Sequence, residues 1–344
     1  MTVLITGGAG FIGSNYAARV IQTGNDLIIY DNLSRKGAAE NLGWLRSEFG
    51  EAFKFVKGDI RDYELLATTA RAADIIVHLA AQVAVTSSVI DPRFDFEVNA
   101  QGTFNVLEAA RASGKNPIVL YTSTNKVYGE MEDVSVVEGK DAYEYADFPD
   151  GISESNPLDF HSPYGCSKGT GDQYMRDYHR IYGLRTVVLR QSCIYGPRQF
   201  GVEDQGWVAW FIIAAIAGKP ITIYGDGKQV RDVLYVDDLL DCYDLAISKI
   251  DQSAGQIFNI GGGKSNTLAI WSQFGPMLEN HLGRKLPVKR DDWRPGDQKI
   301  YISDIRKAAT ELGWKPTVTV DQGIERLYNW VRQNQDLIAG VMQK

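Results

Sequence analysis

The chain is predicted to be an α/β protein, with a doubly wound parallel sheet of the Rossmann type and a smaller mixed α/β C-terminal domain. Short apolar runs at residues 3–6, 27–30 and 74–78 alternate with helical patterns. The first run leads directly into a glycine-rich turn at residues 7–13. Because parallel strands need a crossover connection, repeated strand–helix units predict a parallel sheet with helices on both faces.

Length and charge limit the possible classes of protein. The 344 residues exceed one ordinary domain, and we expect one domain at residues 1–190 plus 232–260 and a second at 191–231 plus 261–344. A net charge of −7 argues against binding to nucleic acid or to a membrane surface. The three cysteines are distant and odd in number, which predicts neither a disulfide framework nor a metal site. With a strand pattern beginning at residue 2, these features predict a cytoplasmic protein.

The glycine turn predicts a dinucleotide site. Glycines at every third position of residues 7–13 allow a tight turn and close approach of the backbone to a pyrophosphate, at the start of a helix. The next strand ends at Asp31, where an acidic side chain can bind ribose hydroxyls and repel a 2′-phosphate. The pattern therefore favours NAD, although Arg35 and Lys36 leave NADP open because they could meet that phosphate.

A second set of polar residues lies where ligands of such sheets bind. Residues 122–129 follow a predicted strand, and Thr124 could bind the reacting oxygen of a substrate. Tyr164 and Lys168 are four residues apart on a predicted helix and share a face. A cation beside a phenol favours the phenolate, so the pair could move a proton from a hydroxyl group. Taken alone, the same spacing also fits an incidental pair on a solvated helix. His78 has apolar neighbours and is predicted to be a core residue.

Together these motifs resemble those of the extended short-chain dehydrogenase/reductase family over nearly the whole chain. The matching features are the glycine turn, Asp31, residues 58–59, 79–81, Asn99, Thr124, Tyr164, Lys168, and residues 195–197, 231–233, 259–261, 294–297 and 312–314. The resemblance implies tightly held NAD, a homodimer or homotetramer, and a nucleotide-sugar substrate bound by the second domain. The residues expected to contact NAD are Gly7, Gly10, Phe11, Ile12, Gly13, Asp31, Asn32, Ser34, Arg35, Asp59, Ile60, Leu79, Ala80, Ala81, Gln82, Asn99, Ser123, Tyr164, Lys168, Gln191 and Cys193.

Within that family, residues 31–37, 123–129, 158–168 and 204–208 most resemble enzymes that invert C2 of a CDP-linked sugar. The resemblance makes Thr124, Tyr164 and Lys168 catalytic, and expects substrate contacts from Thr124, Gln199, Gln205, Tyr224, Arg231, Arg294 and Asp297. The family's 4,6-dehydratases carry an Asp-Glu pair where this chain has Asn125 and Lys126. Without those carboxyl groups, oxidation followed by re-reduction is the simpler reaction. A UDP- or CDP-sugar 4-epimerase and a non-catalytic NAD-sensing protein remain as alternatives.

Overall fold

The computed structural model describes residues 1–294 and 297–343. Its strands are β1 Thr2–Thr6, β2 Asp26–Asp31, β3 Lys54–Lys57, β4 Ile75–His78, β5 Ile118–Thr124, β6 Val136–Glu138, β7 Tyr143–Tyr145, β8 Arg185–Gln191, β9 Cys193–Tyr195, β10 Ile221–Tyr224, β11 Val230–Tyr235, β12 Ile257–Ile260, β13 Thr267–Ala269, β14 Val288–Asp291 and β15 Ile300–Tyr301. Its helices are α1 Phe11–Gln22, α2 Ala38–Phe49, α3 Tyr63–Ala70, α4 Val85–Ile90, α5 Pro92–Phe96, α6 Gly102–Ala112, α7 Ser162–Tyr182, α8 Trp207–Ile216, α9 Val236–Ser248, α10 Ile250–Ser253, α11 Phe274–Leu282, α12 Arg306–Leu312, α13 Val320–Gln333 and α14 Gln335–Gln343.

The main sheet confirms the predicted fold class. It has seven parallel strands in the order β12-β8-β5-β4-β1-β2-β3. The chain winds outward in opposite directions from β1 and from β4, so the strand order reverses between these neighbours. In open sheets of this kind, ligands bind at the carboxyl ends of the strands beside the reversal. Both the glycine turn and the loop after β4 begin at this edge.

Strand β1 shows why a continuous apolar run forms a central strand. Successive side chains of a strand point to opposite faces of the sheet. Val3 and Ile5 accordingly pack in the core layer on one face, and Leu4 packs in the layer on the other. Because helices cover both faces, every position of the strand interior is apolar.

The second part of the molecule is built on smaller sheets. Strands β9, β11, β13 and β15 form one of them, and β10 pairs with β14. Strand β12 returns to the main sheet beside β8. The predicted boundary between residues 231 and 232 therefore falls inside β11, while the one after residue 190 falls at the end of β8. The division into two domains stays a prediction, and its last residue, 344, lies outside the described residues.

Two segments have notable local structure. A π-helical segment, Glu97–Gln101, separates α5 from α6. Close packing accompanies this irregularity, since a Cβ at Gly102 would lie 2.5 Å from Ile60 Cδ1. The acidic stretch 130–154 contains the β6–β7 hairpin. Within residues 1–294 and 297–343, no helix combines the length and apolar character needed to cross a bilayer.

Candidate active site

The predicted catalytic residues come together at the carboxyl edge of the main sheet. Thr124 is the last residue of β5, and a hydrogen bond joins its side chain to that of Tyr164 on α7. Lys168 lies one helical turn further along α7. The backbone N–H of Tyr164 donates to Ser88 Oγ on α4 at 3.1 Å, which holds the start of α7 in place.

A buried ion pair fixes α7 against the sheet. Arg190 on β8 donates Nε to Asp172 Oδ2 at 2.8 Å and Nη2 to Oδ1 at 2.9 Å, and both side chains are at most 2% exposed. Ser123 Oγ donates to the same carboxylate at 2.7 Å, and Arg190 Nη1 donates to the Tyr128 hydroxyl at 3.0 Å. Such bidentate geometry is orientationally specific. The pair therefore sets how α7 presents Tyr164 and Lys168 to the strand ends.

Lys168 is buried, with 4% of its surface exposed, and its ammonium lies 4.3 Å from the centre of the Tyr121 ring. Burial lowers the pKa of Lys168 to about 7, and the carboxylates of Asp172 and Asp95 oppose this effect. A lysine so placed is close to the point where it exchanges a proton at neutral pH.

The pKa of Tyr164 differs from the sequence-based expectation, which was that Lys168 makes the phenol more acidic. Burial raises the pKa of Tyr164 to about 12. The hydrogen bond with Thr124 and the charge of Arg35 oppose the rise, and Asp95 adds to it. The pKa of Tyr164 is therefore governed by its burial, Thr124, Asp95 and Arg35 rather than by Lys168.

His78 is a core residue, as predicted. Its Nδ1 is hydrogen-bonded to Thr6 Oγ1 at 2.7 Å and its Nε2 to Thr103 Oγ1 at 3.1 Å. Burial lowers the pKa of His78 to about 3, so the ring is neutral and joins β1, β4 and α6.

The glycine turn has the shape of a dinucleotide cradle. Gly7 has φ +70°, and a Cβ on Gly13 would lie 2.3 Å from the Gly7 carbonyl oxygen, so neither position has room for a side chain. Phe11 and Ile12 begin α1, whose N-terminal N–H groups face the turn. This bare backbone next to a helix N-terminus fits a pyrophosphate.

The carboxylate of Asp31 lies beside that turn. It accepts the backbone N–H groups of Ala9 at 3.0 Å and Leu33 at 2.7 Å, which leaves acceptor capacity for ribose hydroxyls. Burial raises its pKa. Asn32 Nδ2 donates to Asp59 Oδ2 at 2.9 Å, and its Oδ1 accepts the N–H of Ser34.

Other predicted cofactor residues are held by contacts close to the carboxyl ends of the strands. An ion pair with Arg61 at 2.9 Å lowers the pKa of Asp59 to about 2, and Ile60 is buried behind it. Asn99 accepts the N–H of Gln82 and donates to its carbonyl oxygen, so it supports the loop formed by Leu79, Ala80, Ala81 and Gln82. Gln191 Nε2 donates to the Tyr243 hydroxyl at 2.8 Å. Whether each of these residues touches the cofactor stays a prediction.

Three of the predicted substrate residues, Arg231, Arg294 and Asp297, are charged and form ion pairs. Arg231 is 6% exposed and donates Nη2 to Asp297 Oδ1 at 2.6 Å. Arg294 pairs with Asp204 at 3.2 Å, and its guanidinium lies 3.9 Å from the centre of the Tyr224 ring. Arginine binds phosphate oxygens bidentately, so these two side chains can clamp a diphosphate. Pro295 and Gly296 of the predicted motif at residues 294–297 lie outside the described residues.

Gln199 and Gln205, which were predicted to contact the substrate, line a cavity together with Gly10, Phe11 and Arg35 at the glycine turn. The side-chain carbonyl oxygens of Gln199 and Gln205 are buried and, within the described part of the chain, lack a hydrogen-bond partner. Buried polar atoms are normally paired, so both are ready to accept a donor from a ligand.

Sequence reasoning assigned no contact to Lys126, and it placed Cys193 with the cofactor. Lys126 lies close enough to Arg231, Asp297 and Cys193 for their charges to affect its pKa. Cys193 is also close to Trp207 and Arg231, which favours the substrate side of the site for its thiol. The available signal was the lysine's position directly after Thr124 and Asn125, where the dehydratases carry a carboxylate.

Comparison with known proteins places the chain in a family. The model of the GDP-mannose 4,6-dehydratase family matches residues 4–327. A CDP-paratose 2-epimerase from Salmonella typhi is 46% identical over 337 residues, which cover 96% of this chain and 99% of that protein.

Solved structures give the same assignment. UDP-glucose 4-epimerase from Thermotoga maritima, solved with UDP-glucose, superposes with a TM-score of 0.83 at 31% identity and covers 97% of this chain and 100% of its own. The dTDP-glucose 4,6-dehydratase from Streptomyces venezuelae, solved with NAD bound, has a TM-score of 0.83 at 32% identity over 99% of this chain and 100% of its own. The chain therefore belongs to the GDP-mannose 4,6-dehydratase family of extended short-chain dehydrogenases/reductases, whose members are nucleotide-sugar epimerases and dehydratases.

Proposed function

We propose that the protein is an NAD-dependent epimerase that inverts C2 of a CDP-linked sugar, of the type that converts CDP-paratose to CDP-tyvelose. The observation that carries this proposal is the 46% identity to the Salmonella typhi 2-epimerase over almost the full length of both chains. The presence of Asn125 and Lys126 supports it, because the chain lacks the Asp-Glu pair that a dehydratase would need after Thr124.

The cofactor cleft fits NAD. The turn at residues 7–13 and the start of α1 would hold the pyrophosphate, and Asp31 would bind the adenosine ribose. Bound NAD supplies a hydride acceptor that can return the hydride, together with a positive charge at the oxidised nicotinamide ring. A 2′-phosphate would lie against the Asp31 carboxylate, which favours NAD over NADP.

The reaction follows from the placement of three side chains. Tyr164, as the phenolate, takes the proton of the C2 hydroxyl while the C2 hydrogen leaves as hydride. Thr124 donates a hydrogen bond to the same oxygen and to the developing charge. The 2-keto sugar then rotates in the site, so that its opposite face is presented, while Arg231 and Arg294 keep the nucleotide diphosphate bound. Return of hydride to the opposite face, with the proton given back by Tyr164, completes the inversion.

The second candidate is a 4-epimerase acting on a UDP- or CDP-sugar. It would use the same three side chains with a different carbon in place, and the similarity to the Thermotoga maritima 4-epimerase favours it. A non-catalytic NAD-sensing role is disfavoured by the intact set of Thr124, Tyr164 and Lys168.

We also propose that the protein is a homo-oligomer that pairs through α6 and α7. Phe104 on α6 and Tyr174, Ile181 and Tyr182 on α7 are 41–65% exposed. Phe104 packs edge-on against Tyr174, so these two rings form one surface. Contiguous exposed apolar side chains of this kind mark protein interfaces.

The reaction is tested in heavy water with a CDP-linked 3,6-dideoxyhexose. Direct hydride return predicts inversion at C2 without deuterium at that carbon, because the hydrogen never becomes a proton. NMR of the product reads both the carbon inverted and its isotope. Deuterium at C2 would rule out hydride return, and inversion at C4 with C2 unchanged would establish the 4-epimerase instead.

Extraction of the bound dinucleotide checks the cofactor, and recovery of mostly NADP would contradict the role given to Asp31.

A further inference from the structure

Lys126 is a cation beside the catalytic residues that the mechanism above does not use. It follows Thr124 by two positions, in a 3-10 turn, Asn125–Tyr128, and its backbone N–H donates to Thr124 Oγ1 at 3.2 Å. The side chain is half-buried. Among the described residues, its ammonium has one hydrogen bond, a long one of 3.4 Å to Gln298 Oε1. An ammonium has three donors, so most of this hydrogen-bonding capacity is available to a ligand.

The surroundings of Lys126 favour an anion. Burial and the nearby guanidinium of Arg231 lower the pKa of Lys126 to about 8, against the opposing effects of Asp297, Cys193 and Glu130. Asp297 is already paired with Arg231 at 2.6 Å. Lys126 and Arg231 are therefore two cations close to each other, and a bound anion would relieve the repulsion between them.

We propose that Lys126 determines which sugar carbon reacts, by binding the sugar-side phosphate of the substrate close to Thr124 and Tyr164. This assignment rests on the proposed function and specifies how C2 is selected. Lysine binds phosphate as a compact point charge, and such charge-assisted hydrogen bonds are the strong ones.

The geometry of a pyranose explains why this cation matters. The anomeric carbon C1 carries the diphosphate; C2 is bonded directly to C1, whereas C4 lies on the opposite side of the ring. A sugar with C2 at the Tyr164 hydroxyl must therefore bring its phosphate close to the catalytic pair. A sugar with C4 at the Tyr164 hydroxyl keeps its phosphate further from the catalytic pair, by the width of the sugar ring. Lys126, beside Thr124, can hold the near position, and Arg231 and Arg294 hold the rest of the nucleotide.

A purely structural role does not account for the side chain. Its single hydrogen bond is near the limit of length for such an interaction, and within residues 1–294 and 297–343 it forms no ion pair. A half-buried cation held this weakly costs solvation without a compensating partner. Binding of a phosphate supplies that partner.

The first test measures binding of CDP alone by calorimetry, so that it does not depend on turnover. Lys126→Met is expected to weaken CDP about tenfold, and Lys126→Arg to retain most of the affinity. Lys54→Met is the matched control, since Lys54 is an exposed lysine on β3 at the far edge of the sheet. Lys126→Gln replaces the methionine variant if that variant folds poorly. Thermal unfolding and NAD content show whether each variant is correctly folded.

The second test measures which carbon reacts. A CDP-linked 3,6-dideoxyhexose carries ring hydroxyls at C2 and C4 and none at C3, so one substrate reports both reactions. Lys126→Met is expected to lose C2 inversion and to raise the ratio of C4 to C2 product, while Lys126→Arg keeps the wild-type ratio. Suppose that the wild-type protein inverts C2 and that Lys126→Met has the same CDP affinity and product ratio as wild type. That result would overturn the role of Lys126 and leave the proposed function standing. Inversion of C4 only by the wild-type protein would overturn the proposed function and, with it, the selection of C2 by Lys126.

Discussion

Tyr164 and Lys168 lie one turn apart on α7, and burial moves their proton affinities in opposite directions. The pKa of the phenol rises to about 12 and that of the ammonium falls to about 7. Desolvation penalises the charged form of each group, so burial favours the neutral phenol and the neutral amine. In the proposed reaction, Thr124 donates its hydrogen bond to the sugar oxygen, so the positive charge that the cofactor brings must offset the cost of the phenolate.

Replacement of Tyr164 by phenylalanine tests its role as the base. Tyr164→Phe keeps the ring and removes the ionisable group, so turnover is expected to fall by about a hundredfold or more. Bound NAD and the thermal midpoint should stay close to wild type, because the hydroxyl is not part of the core packing. Steady-state rates and the dinucleotide content of the purified variant are the measurements. Near-normal turnover would remove Tyr164 from the mechanism.

The lowered pKa of Lys168 makes stability depend on pH. Between about pH 7 and the ordinary lysine value of 10.5, the unfolded chain binds a proton at this position that the folded protein does not. The folded state therefore gains stability as pH rises through that window, by about 1.4 kcal/mol for each unit of pKa difference. Lys168→Met lacks this proton, so the free energy of unfolding of wild type relative to the variant is expected to increase with pH.

Urea unfolding of both proteins at pH 7, 8 and 9, after removal of bound dinucleotide, measures that difference. The comparison cancels the contributions of all other titrating groups that the two proteins share. A difference that stays constant across the series would mean that Lys168 keeps an ordinary pKa in the folded protein.

At the scale of elements, the site depends on how three segments meet at the carboxyl edge of the sheet. The glycine turn after β1 lies against the loop after β4, where a Cβ on Gly7 would be 2.6 Å from the backbone nitrogen of Ala80. Helix α7 is fixed to β8 by the buried pair of Arg190 and Asp172. The cofactor cleft and the catalytic pair are therefore positioned by separate contacts to one rigid sheet.

A substitution in the glycine turn tests the cradle. Gly13→Ala would place a Cβ 2.3 Å from the Gly7 carbonyl oxygen and 2.7 Å from Gly8 Cα, both of which are backbone atoms. The turn must shift, so we expect loss of bound NAD and a lower thermal midpoint. Gly43→Ala is the matched control: a Cβ there meets nothing within 4 Å, and alanine inside helix α2 should stabilise by about 0.5–1 kcal/mol. Full NAD content in Gly13→Ala would show that the turn does not cradle the cofactor.

At the scale of the whole molecule, the exposed rings of α6 and α7 lie on the outer surface of the helix that carries the catalytic pair. Tyr164 and Lys168 lie near the start of α7, and Tyr174 and Tyr182 follow in its second half. An interface on these helices would brace α7 from outside, opposite the sheet. Oligomer formation and activity would then be linked.

Charge placed on that surface tests the interface. Tyr174→Glu is expected to convert a wild-type homo-oligomer to a monomer, because a carboxylate would be desolvated at the contact. Val137→Glu is the control, since Val137 is 54% exposed on the β6–β7 hairpin, away from α7. Light scattering coupled to size exclusion measures the mass. A wild-type monomer, or a Tyr174→Glu protein of unchanged mass, would contradict an interface at this face.

Much of this protein could be predicted from its sequence because the relevant signals are local. Strand–helix alternation, the spacing of glycines at residues 7–13 and the four-residue spacing of Tyr164 and Lys168 depend on neighbours along the chain, and the fold class they predict is confirmed. The position of Asp31 at the end of β2 follows from the same pattern.

Only the tertiary structure decided the properties that depend on distant residues. The pairing of Arg190 with Asp172, the closeness of Lys126 to Arg231, and the burial that raises the pKa of Tyr164 and lowers that of Lys168 each join segments that are not adjacent along the chain. Residue type and spacing identify groups able to transfer protons or bind phosphate. Their proton affinities and partners depend on desolvation and on charges a few ångströms away, which exist only once the chain has folded.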